Sequence, residues 1–184
     1  MLRGQAPLDG VSVRPASVSD AEAIARFQTE TWREAYAGLV SSSYLDGVST
    51  EDRVQRWSDR IVSKERRVLV ASEHEEIVGV VSWGAASRPE AGSVVELKSL
   101  YVTKSQRGTG LAIRLLNAAI KDLAAELWVF RDNSRARNFY EKSGFVTAPL
   151  EMIDPDTGLV LILMTRPTAG DVNVNVGEAM SRTS

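Results

Sequence analysis

The sequence predicts a mixed α/β domain around one sheet. Three observations carry that prediction. Apolar residues before position 63 recur mainly at helical spacing. From Arg67 the spacing falls to two, the period of a strand. Beyond Val102 helical and strand periods alternate, giving the order β, helices, β-β-β, α, β, α, β-β. The chain has 184 residues, 43% of them hydrophobic, which suits one domain with a proper core. That domain is expected over 11–166, with flexible termini at 1–10 and 167–184.

Val11, Val13 and Pro15 read as a short first strand. Ser19 or Asp20 can cap the helix that follows, whose Ala23, Ile24, Phe27, Thr31 and Ala35 keep helical spacing to about Gly38. A short helical piece is expected at Tyr44–Leu45. Another helix runs from about Glu51 to Val62, with Val54, Trp57, Ile61 and Val62 on one side. Arg67–Ala71 and Ile77–Trp83 are β-rich runs separated by Ser72-Glu73-His74-Glu75-Glu76, a hairpin in which His74 is a surface residue.

Val94–Val102 is the next strand, and its alternation slips. Val95 and Leu97 share one phase, while Leu100 and Val102 share the other. Side chains of a strand alternate strictly, so the slip implies one extra residue near Lys98-Ser99, a β-bulge that leaves ladder groups unpaired. From Gly108 to about Ala124 an amphipathic helix is expected on a stripe from Leu111 to Leu123. Leu127–Phe130 reads as a buried strand. Asn133 or Ser134 caps a helix that buries Ala136, Phe139 and Tyr140 and ends at Gly144. Phe145–Ile153 and Leu159–Thr165 are two strands joined by the turn Asp154-Pro155-Asp156-Thr157-Gly158. These two strands either pair across a homodimer or lie buried within the sheet.

Composition excludes several classes of function. With no cysteine there is no disulfide, thiolate nucleophile or Cys-ligated metal, and one histidine leaves little scope for a His-based triad or metal site. No metal cofactor is expected. A net charge of -2 argues against broad nucleic-acid binding. The longest apolar run, Leu159–Met164, is far short of the roughly 20 residues that span a bilayer, and the N-terminus has no apolar signal region. A cytoplasmic protein with no membrane partner is therefore expected.

The chemistry concentrates where a strand, ELKSLYV, enters the loop and helix TKSQRGTGLAIRLL. Gly108 and Gly110 let the backbone turn N–H groups toward a ligand. The helix N-terminus adds partial positive charge, and Lys104 and Arg107 add full charges, which together make a pyrophosphate cradle. A P-loop is absent, and Gly108-x-Gly110 lacks the third glycine of the dinucleotide fingerprint. What fits is R-x-x-G-x-A at Arg107, Gly110 and Ala112. It resembles the acyl-CoA pyrophosphate loop, Q/R-x-x-G-x-G/A, of the GNAT superfamily of N-acetyltransferases. A second block, DNSRARNFYEKSGF, is similar to that superfamily's closing segment at Asn133, Ala136, Phe139, Tyr140, Lys142, Gly144 and Phe145. The resemblance is specific from about Val94 to Phe145 and looser before it.

The resemblance implies a mostly antiparallel sheet of six to seven strands with four helices, and acetyl-CoA as co-substrate in a V-shaped cleft between the fourth and fifth strands. Backbone groups of Leu100, Tyr101 and Val102 would meet pantetheine. Arg107, Gly108, Thr109, Gly110, Leu111 and Ala112 would meet the pyrophosphate, and Asn133 the pantetheine or catalytic region, unless it only caps its helix. Tyr140 matches the family's general acid for the departing CoA thiolate. A phenol near pKa 10 facing a thiolate near 8.5 is uphill by about 2 kcal/mol, so proximity or a hydrogen bond must help. Glu96 matches the position of a general base, the alternative being a strand glutamate that faces solvent or is salt-bridged, for instance to Lys98. A base matters most for strongly basic amines, since deprotonating a lysine-like amine at pH 7 costs about 4.6 kcal/mol. Glu30 and Glu34 on the first helix are alternative acids on the acceptor side, or simply its solvated face. Trp32, Tyr36 and Trp83 line the acceptor pocket or simply pack in the core, and Trp57 and Trp128 read as core. The implied reaction is direct attack by a primary amine, from a small molecule or a peptide, on the thioester. A non-catalytic acyl-CoA-binding module on the same fold is the competing reading.

Overall fold

The computed structural model describes residues 10–36, 38, 40, 47, 49–88 and 92–168. The elements in chain order are β1 (Val11–Pro15), α1 (Ala21–Tyr36), α2 (Thr50–Ser63), β2 (Arg66–Glu73), β3 (Glu76–Ala85), β4 (Val95–Val102), α3 (Leu111–Ile120), β5 (Ala125–Phe130), α4 (Ser134–Lys142), β6 (Val146–Ile153) and β7 (Val160–Arg166). The seven strands form one sheet in the order β1-β2-β3-β4-β5-β7-β6. Every neighbouring pair is antiparallel except β4 and β5, which run parallel. The mixed, mostly antiparallel sheet is therefore present, with four helices among the described residues. The short piece expected at Tyr44–Leu45 lies outside the described residues.

Strand alternation divides the apolar residues between two layers. Val68, Val70 and Val80 face α1 and α2, where they cluster with Ile24, Phe27 and Trp57. Ala71, Val81, Leu97 and Leu127 face the other way, onto Leu111, Leu115 and Leu116 of α3 and Tyr140 of α4. The slip in β4 is accommodated as expected. Ser99 pairs with Ser82 and Leu97 with Trp83, so Lys98 is the extra residue. The bulge returns Leu100 and Val102 to the face of Val95 and Leu97, and all four pack in the same cluster.

Several boundaries differ from the sequence reading, for local reasons. The first helix is introduced by a 3-10 turn, Val18–Asp20, capped by Ser17 rather than by Ser19 or Asp20. Asp20 instead reaches back to the Ser17 N–H at 2.7 Å. The β2–β3 hairpin turns on His74 and Glu75 alone, both with positive φ, so the strands run on to Glu73 and from Glu76. α3 is shorter than the apolar stripe. Gly108 and Gly110, with φ of 81° and 97°, hold its start back to Leu111, and Lys121 at φ 42° stops it at Ile120. Leu123 is therefore 41% exposed, and Val62 of α2 is 63% exposed. β7 is hydrogen-bonded on both sides, to β5 and β6, and so lies within the sheet, whereas β6 is its exposed edge strand.

The Arg14–Asp20 pair ties β1 to the start of α1. Arg14 donates two hydrogen bonds to the Asp20 carboxylate, at 2.7 and 2.8 Å, and the Ser17 hydroxyl donates a third at 2.8 Å. These bonds hold the Asp20 carboxyl far below its ordinary value of 3.8. A depressed carboxylate stabilises the fold above its unfolded pKa, and that stability is lost as pH falls through and below that value. Asp20→Asn is expected to cost about 1.5–3 kcal/mol at pH 7. By denaturant titration the gap between variant and parent should narrow steadily below about pH 4. A gap independent of pH would contradict the assignment.

Candidate active site

The site is made where two strands part. β4 and β5 pair only from Val95 to Leu97 against Ala125 to Leu127. Beyond the bulge residue Lys98 they diverge, while β4 stays paired with β3 through Val102. The opening holds a cavity of about 540 Å³, a normal size for a ligand site. Its walls include Ser99, Leu100, Tyr101 and Val102 of β4, Trp128, Val129 and Phe130 of β5, and Asn133, Ala136, Phe139 and Tyr140 at or on α4. On the β5 side, 99–102 offers backbone groups that no strand pairs, so the wall is a ready set of donors and acceptors.

One end of the cavity is the turn before α3. Arg107, Gly108 and Ala112 line it. A Cβ on Gly108 would meet nothing within 4 Å, so the backbone there faces open space. The first N–H groups of a helix have no intrahelical partner and suit an anion. The turn is braced from behind: the Thr109 hydroxyl donates to the Gln106 carbonyl at 2.9 Å, and buried Gln106 donates to Glu73 at 3.1 Å. Arg107 pairs with Glu34 of α1 at 3.1 Å, half exposed and hence weak, about 0–1 kcal/mol. Thr109, Gly110 and Leu111 shape the turn without lining the cavity, and the Leu111 side chain is fully buried in the core.

Tyr140 closes the α4 side, packed edge-on against Phe139 and Phe145 with ring centroids 5.2 and 5.7 Å away. Burial pushes its phenol well above 10, so the O–H keeps its proton at any working pH. Asn133 both lines the cavity and caps α4, its side chain accepting the Ala136 N–H at 3.1 Å. Across the opening, Trp32 and Tyr36 of α1 also line the cavity. The Trp32 indole donates to the Tyr101 hydroxyl at 2.9 Å, and Tyr36 meets Trp32 and Phe130 edge-on at 4.8 and 5.1 Å. Burial raises the Tyr36 and Tyr101 phenols as well.

Other expected residues lie elsewhere. Trp83 is 8% exposed and belongs to the core cluster, facing α3 rather than the cavity, because its alternation phase is that of Val81. Glu30 is exposed on α1 and away from the cavity wall. Glu96 is buried one residue beyond the wall. Its carboxylate is ion-paired with Lys98 at 2.5 Å and accepts a hydrogen bond from Ser87, the salt-bridged alternative considered above. Neighbouring Glu126, fully buried, accepts the Ser87 and Arg88 N–H groups at 3.1 and 3.3 Å and so holds that loop in place. Trp57 is core, but Trp128 is not: it sits where β5 has left β4 and lines the cavity. Arg135, Asp154 and Asp156 also line it. No local signal marks the two aspartates, because the β6–β7 turn reaches the site only through sheet order.

Comparison with known proteins agrees with this geometry. The model of the acetyltransferase (GNAT) family matches residues 25–145. An uncharacterized N-acetyltransferase of Archaeoglobus fulgidus is 30% identical over 139 residues, 71% of this chain and 89% of that protein. A spermidine N(1)-acetyltransferase of Thermoplasma acidophilum is 25% identical over 150 residues, 73% of this chain and 88% of that protein. Among solved structures, the PaiA N-acetyltransferase of Thermoplasma acidophilum in complex with coenzyme A superposes with a TM-score of 0.65 at 20% identity, covering 85% of this chain and 98% of that one. With its parted strands, glycine turn and buried α4 tyrosine, this chain belongs to the GNAT acetyltransferase family.

Proposed function

We propose that the protein transfers an acetyl group from acetyl-CoA to a primary amine by direct attack within a ternary complex. The observation that carries this reading is the opening between β4 and β5, with an anion-suited helix start at one end and a protonated, buried phenol beside it. The residues present fit the co-substrate. The open turn at Gly108 suits a pyrophosphate, Arg107 suits its charge, and the unpaired edge 99–102 suits the amide groups of a pantetheine arm. Related structures support the same ligand: the PaiA enzyme was solved with coenzyme A, and a Salmonella typhimurium acetyltransferase with acetyl-CoA.

When bound, acetyl-CoA supplies the activated acetyl group, and its thiol is the leaving group. The chain's own residues do the rest. Arg107 exchanges its weak Glu34 partner for phosphate oxygens. The edge 99–102 orients the arm, and a backbone N–H there stabilises charge developing on the thioester oxygen. Tyr140 donates its O–H toward the departing sulfur. Burial raises its pKa, which makes full proton transfer to a thiolate less favourable, so the O–H acts as a hydrogen-bond donor to the charge developing on sulfur. Glu96 is the candidate base. Its carboxylate, held by Lys98 behind the cavity wall, would reach an amine through a bridging water.

Tyr140→Phe is expected to lower amine-dependent thiol release by about 10²-fold or more, with acetyl-CoA affinity unchanged. The chain has no cysteine, so a thiol reagent reads only released CoA. Undiminished release in the variant would remove the acid role. Arg107→Ala is expected to weaken acetyl-CoA binding about ten-fold or more by calorimetry, because a charge-assisted phosphate contact is lost. Equal affinity in the two proteins would put the pyrophosphate elsewhere.

A further inference from the structure

The acceptor side of the cavity is aromatic. Trp32 and Tyr36 of α1, Tyr101 of β4, and Trp128 and Phe130 of β5 all line it. Strand phase accounts for the grouping. Ala125, Leu127 and Val129 face α3 and α4, which leaves Trp128 and Phe130 on the α1 side. Tyr101 packs against the α1–α2 cluster. The turn at 107–112 and Tyr140 belong to the other side, so these five rings face whatever enters opposite the thioester. Three of them are already interlocked edge-to-face, Trp32 on Tyr36 at 65° and Tyr36 on Phe130 at 88°. The bond from Trp32 to Tyr101 fixes a second corner, and Arg53 stacks on Trp32 at 5.6 Å.

The charge of the walls does not suit a polycation. Among the described residues lining the cavity, three are cationic (Lys98, Arg107 and Arg135) and two acidic (Asp154 and Asp156). Asp154 already accepts the Thr157 N–H and hydroxyl. Glu96 is neutralised by Lys98, and Glu34 is paired with Arg107 until that arginine turns to phosphate. With co-substrate bound, a ligand carrying three or four ammonium groups would meet Lys98 and Arg135 on the wall, with Asp156 there and Glu34 at the mouth as its uncommitted carboxylates. An amine with a single charge has less to lose, and an apolar wall favours the neutral form that attacks.

We propose that the acceptor is a monoamine whose primary amino group is carried by a planar aromatic body, seated against the rings of Trp32, Tyr36 and Trp128. The body continues the edge-to-face array, and its amine projects into the opening between β4 and β5 toward the thioester. This inference rests on the amine-acetylating reading above and departs from the polyamine substrate named for one relative.

The test is equilibrium binding, which does not require turnover. Protein saturated with coenzyme A is titrated by calorimetry with phenethylamine, 2-cyclohexylethylamine and spermidine. The first two share a skeleton and a charge and differ in planarity. Phenethylamine is expected to bind at least five-fold tighter than either of the others, as an added ring pair would give. A smaller preference over either one overturns the proposal. In Trp128→Leu, with Trp128→Ala as a second variant, the preference for phenethylamine over its saturated analogue should fall toward one. An unchanged preference in a folded variant removes Trp128 from the wall and overturns the assigned seat. Thiol release with phenethylamine and acetyl-CoA is measured beside the titration. Preferential binding without release would refute the transfer reading and leave the aromatic site standing.

Discussion

β4 and β5 exchange backbone hydrogen bonds only from Val95 to Leu97, and the end of that short ladder is the constraint on which the site depends. A parallel pair inside a sheet is normally closed along its length, because an unpaired backbone group buried without a partner costs free energy. Here the ladder stops at the residue before the bulge. Lys98 adds one residue to β4 and keeps Leu100 and Val102 on the core face, so β4 stays anchored to β3 and α3 while its other edge is released. The cavity follows from that release. So does the placement of Lys98, whose side chain lies at the wall while its ammonium neutralises Glu96 behind it.

The two sides of the opening have different characters because the sheet separates them. On the α3 and α4 side the chain offers a glycine turn, a helix start, an arginine and a buried phenol, a set that suits a phosphorylated thiol ester. On the α1 side it offers interlocked rings and few uncommitted charges. α1 carries both kinds of contact. Its Trp32 and Tyr36 form the aromatic wall, and its Glu34 holds Arg107 across the mouth. Replacing that exposed pair by a phosphate contact loses little, so docking of co-substrate is compatible with an unaltered position of α1.

Much of this was legible in the residues. The slipped alternation of Val95-Leu97 and Leu100-Val102 located the bulge, because the strand period admits no other local account. Arg107, Gly110 and Ala112 located the turn, and the block from Asn133 to Phe145 located the buried Tyr140. The misreadings have physical causes. The stripe to Leu123 overstated α3, since hydrophobic spacing continues through the Lys121 turn and does not register a positive φ. Trp83 took the core alternative, and Trp128, read as core, lines the cavity. Both are tryptophans in β-rich runs, and only the point at which β4 and β5 separate decides which meets a cavity. Asp154 and Asp156 reach the wall through the β5-β7-β6 order, which no local pattern encodes.

On the proposed function, the released edge of β4 receives the co-substrate's arm. Amide hydrogen exchange, resolved residue by residue with and without acetyl-CoA, tests it most directly. The account predicts that N–H groups within 99–102 that are not paired to β3 become protected on binding. Those of 95–97, already paired with β5, should change little. Protection confined to other segments, with 99–102 exchanging as before, would contradict it.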